Sequence, residues 1–215
     1  MSKSFIVLMI LTIGFFNTFS SNTEPEKIIE NYEGFYIGFG YSFVTNAELS
    51  AYNFTFSENT SNSSFLKLEY YDKLKPNKSQ FGYGFEFNLS EINIENDGGA
   101  ITDMITYYIG GRYFQNIEKG SYYHWKIGKV SEVLGDPKMT FYVKTDIWGN
   151  PVGTEFAQLD GKLFYSFGSG YKTGSGFIEL SFSSYNAQTR MFVYGMYHTV
   201  DINYSKTELS YSHKF

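Results

Sequence analysis

His124, His198 and His213 are the only three histidines of the chain, and no other side chain has an unperturbed pKa near neutrality, so general acid–base chemistry would have to start from them. His198 is followed by Thr199 and Asp201, but Tyr197-His198-Thr199-Val200 matches no recognisable motif. A carboxylate-based hydrolysis would need acids gathered at one place, and Asp72, Asp97, Asp103, Asp136, Asp146, Asp160 and Asp201 are scattered. Gly98-Gly99 and Lys172-Thr173-Gly174-Ser175-Gly176 are similar to phosphate loops in composition only. Neither opens a helical pattern, and both are expected to be turns. Cysteine is absent, which removes a disulfide framework, a thiolate metal site and a lipid-modified cysteine. These spacings assign no catalytic residue, no metal site and no cofactor.

A different set of charges is ordered. Lys67, Glu69, Glu86, Arg112, Lys126, Glu179 and Glu208 all fall on one phase of alternating stretches, opposite a phase of large apolar residues. In residues 34–43, Phe35, Ile37, Phe39, Tyr41 and Phe43 alternate with Tyr36, Gly38, Gly40 and Ser42. Phe81, Tyr83, Phe85, Phe87 and Leu89 repeat the pattern against Gly82, Gly84, Glu86 and Asn88; Ile105, Tyr107, Ile109 and Tyr113 do so against Thr106, Tyr108, Gly110 and Arg112. Leu163, Tyr165, Phe167 and Tyr171 make a fourth strand against Ser166, Gly168 and Gly170. Weaker alternation marks residues 66–70, 123–128 and 178–183, and a last strand covers 206–215, so eight strands are expected. Residues 139–146 and 190–204 are also strand-like. They either extend strands beyond the barrel wall or add a pair, so ten strands are the alternative.

Volume and charge decide which phase faces out. A barrel of about eight strands has an interior just wide enough for side chains to fill. It cannot hold all these rings, so they are expected to face outward against lipid, with Gly, Ser and the charges inside. The aromatic phase of the four clearest strands carries no charge, as a lipid-facing wall requires. The seven charges are expected to form an interior network of ion pairs and hydrogen bonds.

The N-terminus agrees with export. Residues 5–16 are a short apolar run after Lys3, and Thr18 and Ser20 stand where a signal peptidase needs small residues, so residues 1–20 are expected to be a signal peptide. Residues 21–33 form a polar lead-in, and 34–215 the barrel, with no internal domain boundary. After the leader no apolar run is long enough for a spanning helix. Connections alternate between short (73–78, 116–120, 172–175) and long (45–63, 91–102, 132–160, 187–203), as in an antiparallel up-and-down transmembrane β-barrel with tight periplasmic turns and longer outer loops. The net charge of -5 is mild and the basic residues are scattered, which excludes a nucleic-acid footprint.

The opening Glu33-Gly34-Phe35-Tyr36-Ile37-Gly38-Phe39-Gly40-Tyr41 and the close Leu209-Ser210-Tyr211-Ser212-His213-Lys214-Phe215 together resemble the small bacterial outer-membrane β-barrel proteins of the eight-stranded, opacity- or adhesin-like type. The resemblance covers nearly the whole mature chain. It implies the cell outer membrane as location, outer-membrane lipid as partner, and a monomer. It also implies that Leu209, Tyr211 and Phe215 form the terminal signal read by the barrel-assembly machinery; His213 departs from the usual apolar residue. The function expected is surface interaction, adhesion or envelope integrity through the loops, with a possible host or surface ligand and no catalysis. A small porin-like channel and a lipid A-modifying enzyme are the alternatives.

Overall fold

A computed structural model of the chain describes residues 32–51, 54–94, 99–131, 137–143, 153–193 and 196–215. The expected signal peptide and most of the lead-in lie outside the described residues. Thirteen strands follow in chain order: β1 Gly34–Ala51, β2 Phe54–Asn59, β3 Ser64–Tyr71, β4 Ser79–Asn88, β5 Ile92–Ile94, β6 Gly99–Thr102, β7 Ile105–Asn116, β8 Ser121–Ser131, β9 Lys138–Val143, β10 Gly153–Gln158, β11 Asp160–Thr173, β12 Gly176–Val193 and β13 Met196–Lys214.

Eight of them close a ring in the order β1-β3-β4-β7-β8-β11-β12-β13, with β13 pairing back onto β1, all neighbours antiparallel. Closure leaves this ring with no free edge. Following hydrogen-bonded partners from Phe35 leads through Tyr70, Tyr83, Ile109, Ile127, Tyr165, Ser184 and Ser205 to Asn46. The path returns to β1 well above its start, so the strands tilt by roughly 40° to the axis.

Turns at one end are tight. The β3–β4, β7–β8 and β11–β12 turns carry left-handed residues where the chain reverses, Lys78 (φ 65), Gly120 (φ 72) and Gly174 (φ 57). At the other end the connections are long but largely stranded. Residues 45–51 continue β1 and 54–59 fold back as β2, and 187–193 and 196–203 lengthen the β12–β13 pairing beyond the ring. Residues 139–143 belong to β9, which joins β10, β6 and β5 in a separate four-stranded sheet; 144–146 lie outside the described residues. The two ambiguous stretches therefore add no strand to the ring.

One local irregularity shifts a whole face. Val44 sits in the left-handed region (φ 52), 78 % exposed, where the register slips between Phe43 and Thr45. This is a β-bulge, costly for a β-branched residue, and it reverses the alternation. Below it odd residues face outward; above it Thr45 and Ala47 face inward.

Candidate functional site

All seven charges expected inside are buried and meet one another around the barrel axis. With Lys206 they form two four-membered squares of alternating sign. In the first, Lys67 Nζ lies 2.7 Å from Glu208 and 3.8 Å from Glu86, while Lys206 Nζ lies 2.7 Å from Glu86 and 3.1 Å from Glu208. In the second, Lys126 Nζ lies 2.7 Å from Glu69 and 3.3 Å from Glu179, while Arg112 Nη2 lies 3.0 Å from Glu179 and 3.9 Å from Glu69. Four cations balance four carboxylates. Such pairing in a buried site offsets a desolvation cost that an isolated charge could not survive.

Tyrosine hydroxyls extend the network. Tyr108 donates to Glu69 (2.9 Å), Tyr122 to Glu179 (2.9 Å) and Tyr185 to Glu86 (2.7 Å). The Arg112 guanidinium carbon is also stacked 3.6 Å from the Tyr71 ring centroid and 4.1 Å from that of Phe177.

Small residues make the long crossings possible. Lys67 on β3 reaches Glu208 on β13 across β1, which offers Gly38 beside Lys67 and Gly40 beside Phe65 and Ser210. A Cβ on Gly40 would run into the Phe65 ring and lie 2.9 Å from the Ser210 Cβ. The glycines of the inward phase are thus the space that the long side chains occupy.

Apolar layers close the axis on both sides of the squares. At the short-turn end Tyr36, Tyr71, Leu74, Phe114, Tyr122 and Phe177 fill the mouth around Tyr32, which is only 1 % exposed. Tyr32 donates to the Ile117 carbonyl (3.1 Å), accepts from Gln80 (2.8 Å) and Tyr36 (2.7 Å) through its own carbonyl, and packs edge-on against Phe114. Toward the long-loop end Tyr108, Phe164, Tyr185, Val200, Ile202 and Tyr204 pack with Ile92, Ile94, Ile101 and Met139 of the small sheet. The inner wall therefore does hold aromatic rings, most of them at its two ends, with Phe65 packed against Lys67 and Lys206 beside the glycines.

The outer wall is apolar. Phe39 is 56 % and Phe167 39 % exposed, and Ile37, Leu68, Ile109, Trp125 and Leu209 share that face. Tyrosines mark its margins: Tyr70, Tyr113, Tyr123 and Tyr211 lie toward the short turns, and Tyr41, Tyr107 and Tyr165 toward the long loops. Leu209, Tyr211 and Phe215 lie on this outer face of the last strand, and the Phe215 amide donates to the Phe35 carbonyl (3.2 Å).

The histidines are separated. His124 is buried inside, with Nε2 3.2 Å from Ser181 Oγ; His213 is outside, with Nδ1 3.2 Å from Ser175 Oγ. His198 stands on β13 opposite Met191. Asp72 accepts from the Phe81 amide (2.9 Å), Asp160 pairs with Lys162 (2.5 Å) and Asp201 accepts from Gln188 (2.5 Å), each in a local role. Asp97, Asp136, Asp146 and Gly98 lie outside the described residues. Among the described residues no group of three or more potential ligands could hold a metal ion.

Sequence reasoning placed Tyr108 on the inward phase but missed Lys206 and the tyrosines Tyr71, Tyr122 and Tyr185 that face the squares. Lys206 shares the inward phase of Glu208 but stands at the first residue of the recognised strand, where phase is least certain. At the long-loop end two grooves open, one of about 430 Å³ lined by Gln158, Gln188, Thr189, Arg190 and Thr199, the other of about 310 Å³ lined by Glu48, Ser50, Lys162, Asn186 and Asn203.

No protein-family model matches the sequence, and no curated protein matches it. Solved structures similar to the chain include Neisserial surface protein A, at 13 % identity over 85 % of this chain and 97 % of that one, TM-score 0.49. Another is Ail, the attachment invasion locus protein of Yersinia pestis, at 14 % identity over 84 % and 99 %, TM-score 0.47. A third is the outer membrane protein OprG from Pseudomonas aeruginosa, at 10 % identity over 86 % and 98 %, TM-score 0.45.

Proposed function

We propose that the chain is an outer-membrane β-barrel with a filled interior, acting through its long-loop end in surface interaction or envelope integrity, without catalysis. The observation that carries this is the inversion of polarity across the ring. Rings and branched aliphatics point outward, while eight ionised side chains pair around the axis. A water-soluble barrel of this size would do the opposite. From Phe35 to Phe43 the outward apolar side chains of β1 run about 26 Å along the strand. At a tilt of roughly 40° they cover about 20 Å of height, close to the apolar band of a spanning barrel.

The filled axis disfavours the channel alternative. Buried rings pack at both mouths, and the charges between them are paired with one another. The lipid A-modifying alternative would need a nucleophile or base open to the lipid face beside an activating carboxylate. His124 is sealed inside, and His213 meets Ser175 and Tyr211.

Fractionation tests the placement. The chain should sediment with the envelope, resist extraction by salt and carbonate, and migrate as a heat-modifiable band; recovery in the soluble fraction would overturn it. For the loop role, cells displaying the chain are compared with cells whose β12–β13 hairpin is shortened above residues 189 and 200. Retention on a coated surface should drop in the shortened variant, and equal retention with equal display would remove that role.

A further inference from the structure

The turn between β3 and β4 presents three exposed lysines, Lys73, Lys75 and Lys78, on a backbone held from several sides. The Asp72 amide donates to the Phe81 carbonyl (2.9 Å), and the Asp72 carboxylate accepts from the Phe81 amide (2.9 Å). Lys75 N donates to Ser79 O (2.8 Å), Lys78 N to Lys75 O (2.9 Å), and Asn77 Oδ1 accepts from Ser79 Oγ (2.6 Å). Leu74 anchors the turn from beneath, buried in the aromatic mouth. The turn is thus firmly held, and its ammonium groups fan out along the rim, Lys73 toward Glu33, Lys75 over Phe81 and Lys78 toward Gln115.

Two carboxylates stand beside the three cations and leave the turn with one net positive charge. Asp72 accepts from a backbone amide, which leaves its own charge in place, and Glu33 stands 4.0 Å from Lys73 Nζ. Lys78 Nζ has only a 3.4 Å contact with the Gln115 carbonyl. Elsewhere on the same rim Lys214 lies close enough to Lys172 to repel it. Lys75 Nζ lies 4.5 Å from the centroid of Phe81, an outward ring of the apolar wall whose neighbour Trp125 is 6.3 Å away edge-on. Lys75 thus borders the apolar band where it ends.

We propose that this turn binds the phosphodiester of an anionic phospholipid headgroup, with Lys75 as its cationic contact, Lys73 and Lys78 adding attraction from either side, and Phe81 as the wall beside its glycerol and upper acyl chain. The site rests on the membrane placement proposed above. Cations at the margin of an apolar wall match a lipid, whose phosphate and hydrocarbon are joined; a free phosphate would use the lysines and leave the wall without a role.

Trp125 reports on the site. In a Trp148→Phe background, wild type and K73Q/K75Q/K78Q are refolded into phosphatidylcholine vesicles, with a heat-modifiable band as the measure of insertion. Tryptophan quenching by brominated phosphatidylglycerol is then compared with quenching by brominated phosphatidylcholine. Wild type should favour phosphatidylglycerol by about fivefold or more at low salt, and the triple variant should favour neither. Equal quenching by both lipids in wild type, or an undiminished preference in the variant, overturns the site while insertion upholds the membrane placement. Displacement by millimolar glycerophosphate would assign the turn to free phosphate and overturn the lipid assignment. Failure of both proteins to insert overturns the placement and the site together.

Discussion

Lys67 Nζ and Glu208 Oε1 lie 2.7 Å apart although their strands do not pair; β1 runs between them and contributes glycine at the crossing. The pair couples β13 to the first hairpin of the ring across the seam where the barrel closes. Closure is thus secured twice, by the β1–β13 ladder and by side chains that step over β1.

Gly40→Val should disturb that crossing, because the added side chain meets the Phe65 ring and the Ser210 Cβ. Overpacking of this kind costs about 1 to 3 kcal/mol. The heat-modifiable band of the variant should melt several degrees lower than wild type, and an unchanged midpoint would show that Phe65 has room to move.

Removing one member of a square should cost more than removing a balanced pair. Arg112→Leu leaves the Glu179 and Glu69 carboxylates short of a cation and should cost about 3 to 5 kcal/mol in urea-driven unfolding from vesicles. Lys67→Met with Glu208→Met should cost clearly less than the two single losses summed, with a coupling of about 1 kcal/mol or more. Additive losses would mean that the two charges do not stabilise each other.

Position on the outer wall should set the cost of a charge. Ile109→Lys places an ammonium in the middle of the apolar band and should destabilise the inserted barrel by about 2 to 4 kcal/mol. Val44→Lys, at the bulge on the band's margin, should cost about 1 kcal/mol or less. Equal costs at both positions, measured by urea titration in the same vesicles, would contradict a lipid-facing wall.

The packed axis should be electrically silent. Wild type reconstituted in a planar bilayer should show no discrete conductance steps, and Tyr32→Ala should stay silent because the upper apolar layer remains. Regular steps in wild type would restore the channel alternative.

Deleting Phe215 should lower the amount of heat-modifiable protein in the envelope several-fold, whereas Lys214→Gln should leave it unchanged. Equal amounts would separate Leu209, Tyr211 and Phe215 from any role as an assembly signal.

The period of two in residues 34–43, 81–89, 105–113 and 163–171 was legible directly, because a pleated strand sends successive side chains to opposite sides whatever surrounds it. With it came the strand count of the ring, the outward rings and the seven inward charges. Val44 was not legible: a bulge inserts one residue without changing composition, and the apolar run Phe43-Val44 looks unbroken. The small sheet of β5, β6, β9 and β10 was equally hidden, since short strands far apart in sequence are joined by tertiary contacts alone.

Composition and alternation by themselves determined that this chain builds a one-walled cylinder, oily outside and charged inside. Which carboxylate meets which ammonium was decided only by closure. The stagger accumulated around eight tilted strands sets the height of each inward residue on the axis, and that stagger is a property of the whole ring that no single strand carries. Lys206 enters its square, and Lys67 reaches past β1 to Glu208, because the ring closes with that offset and no other.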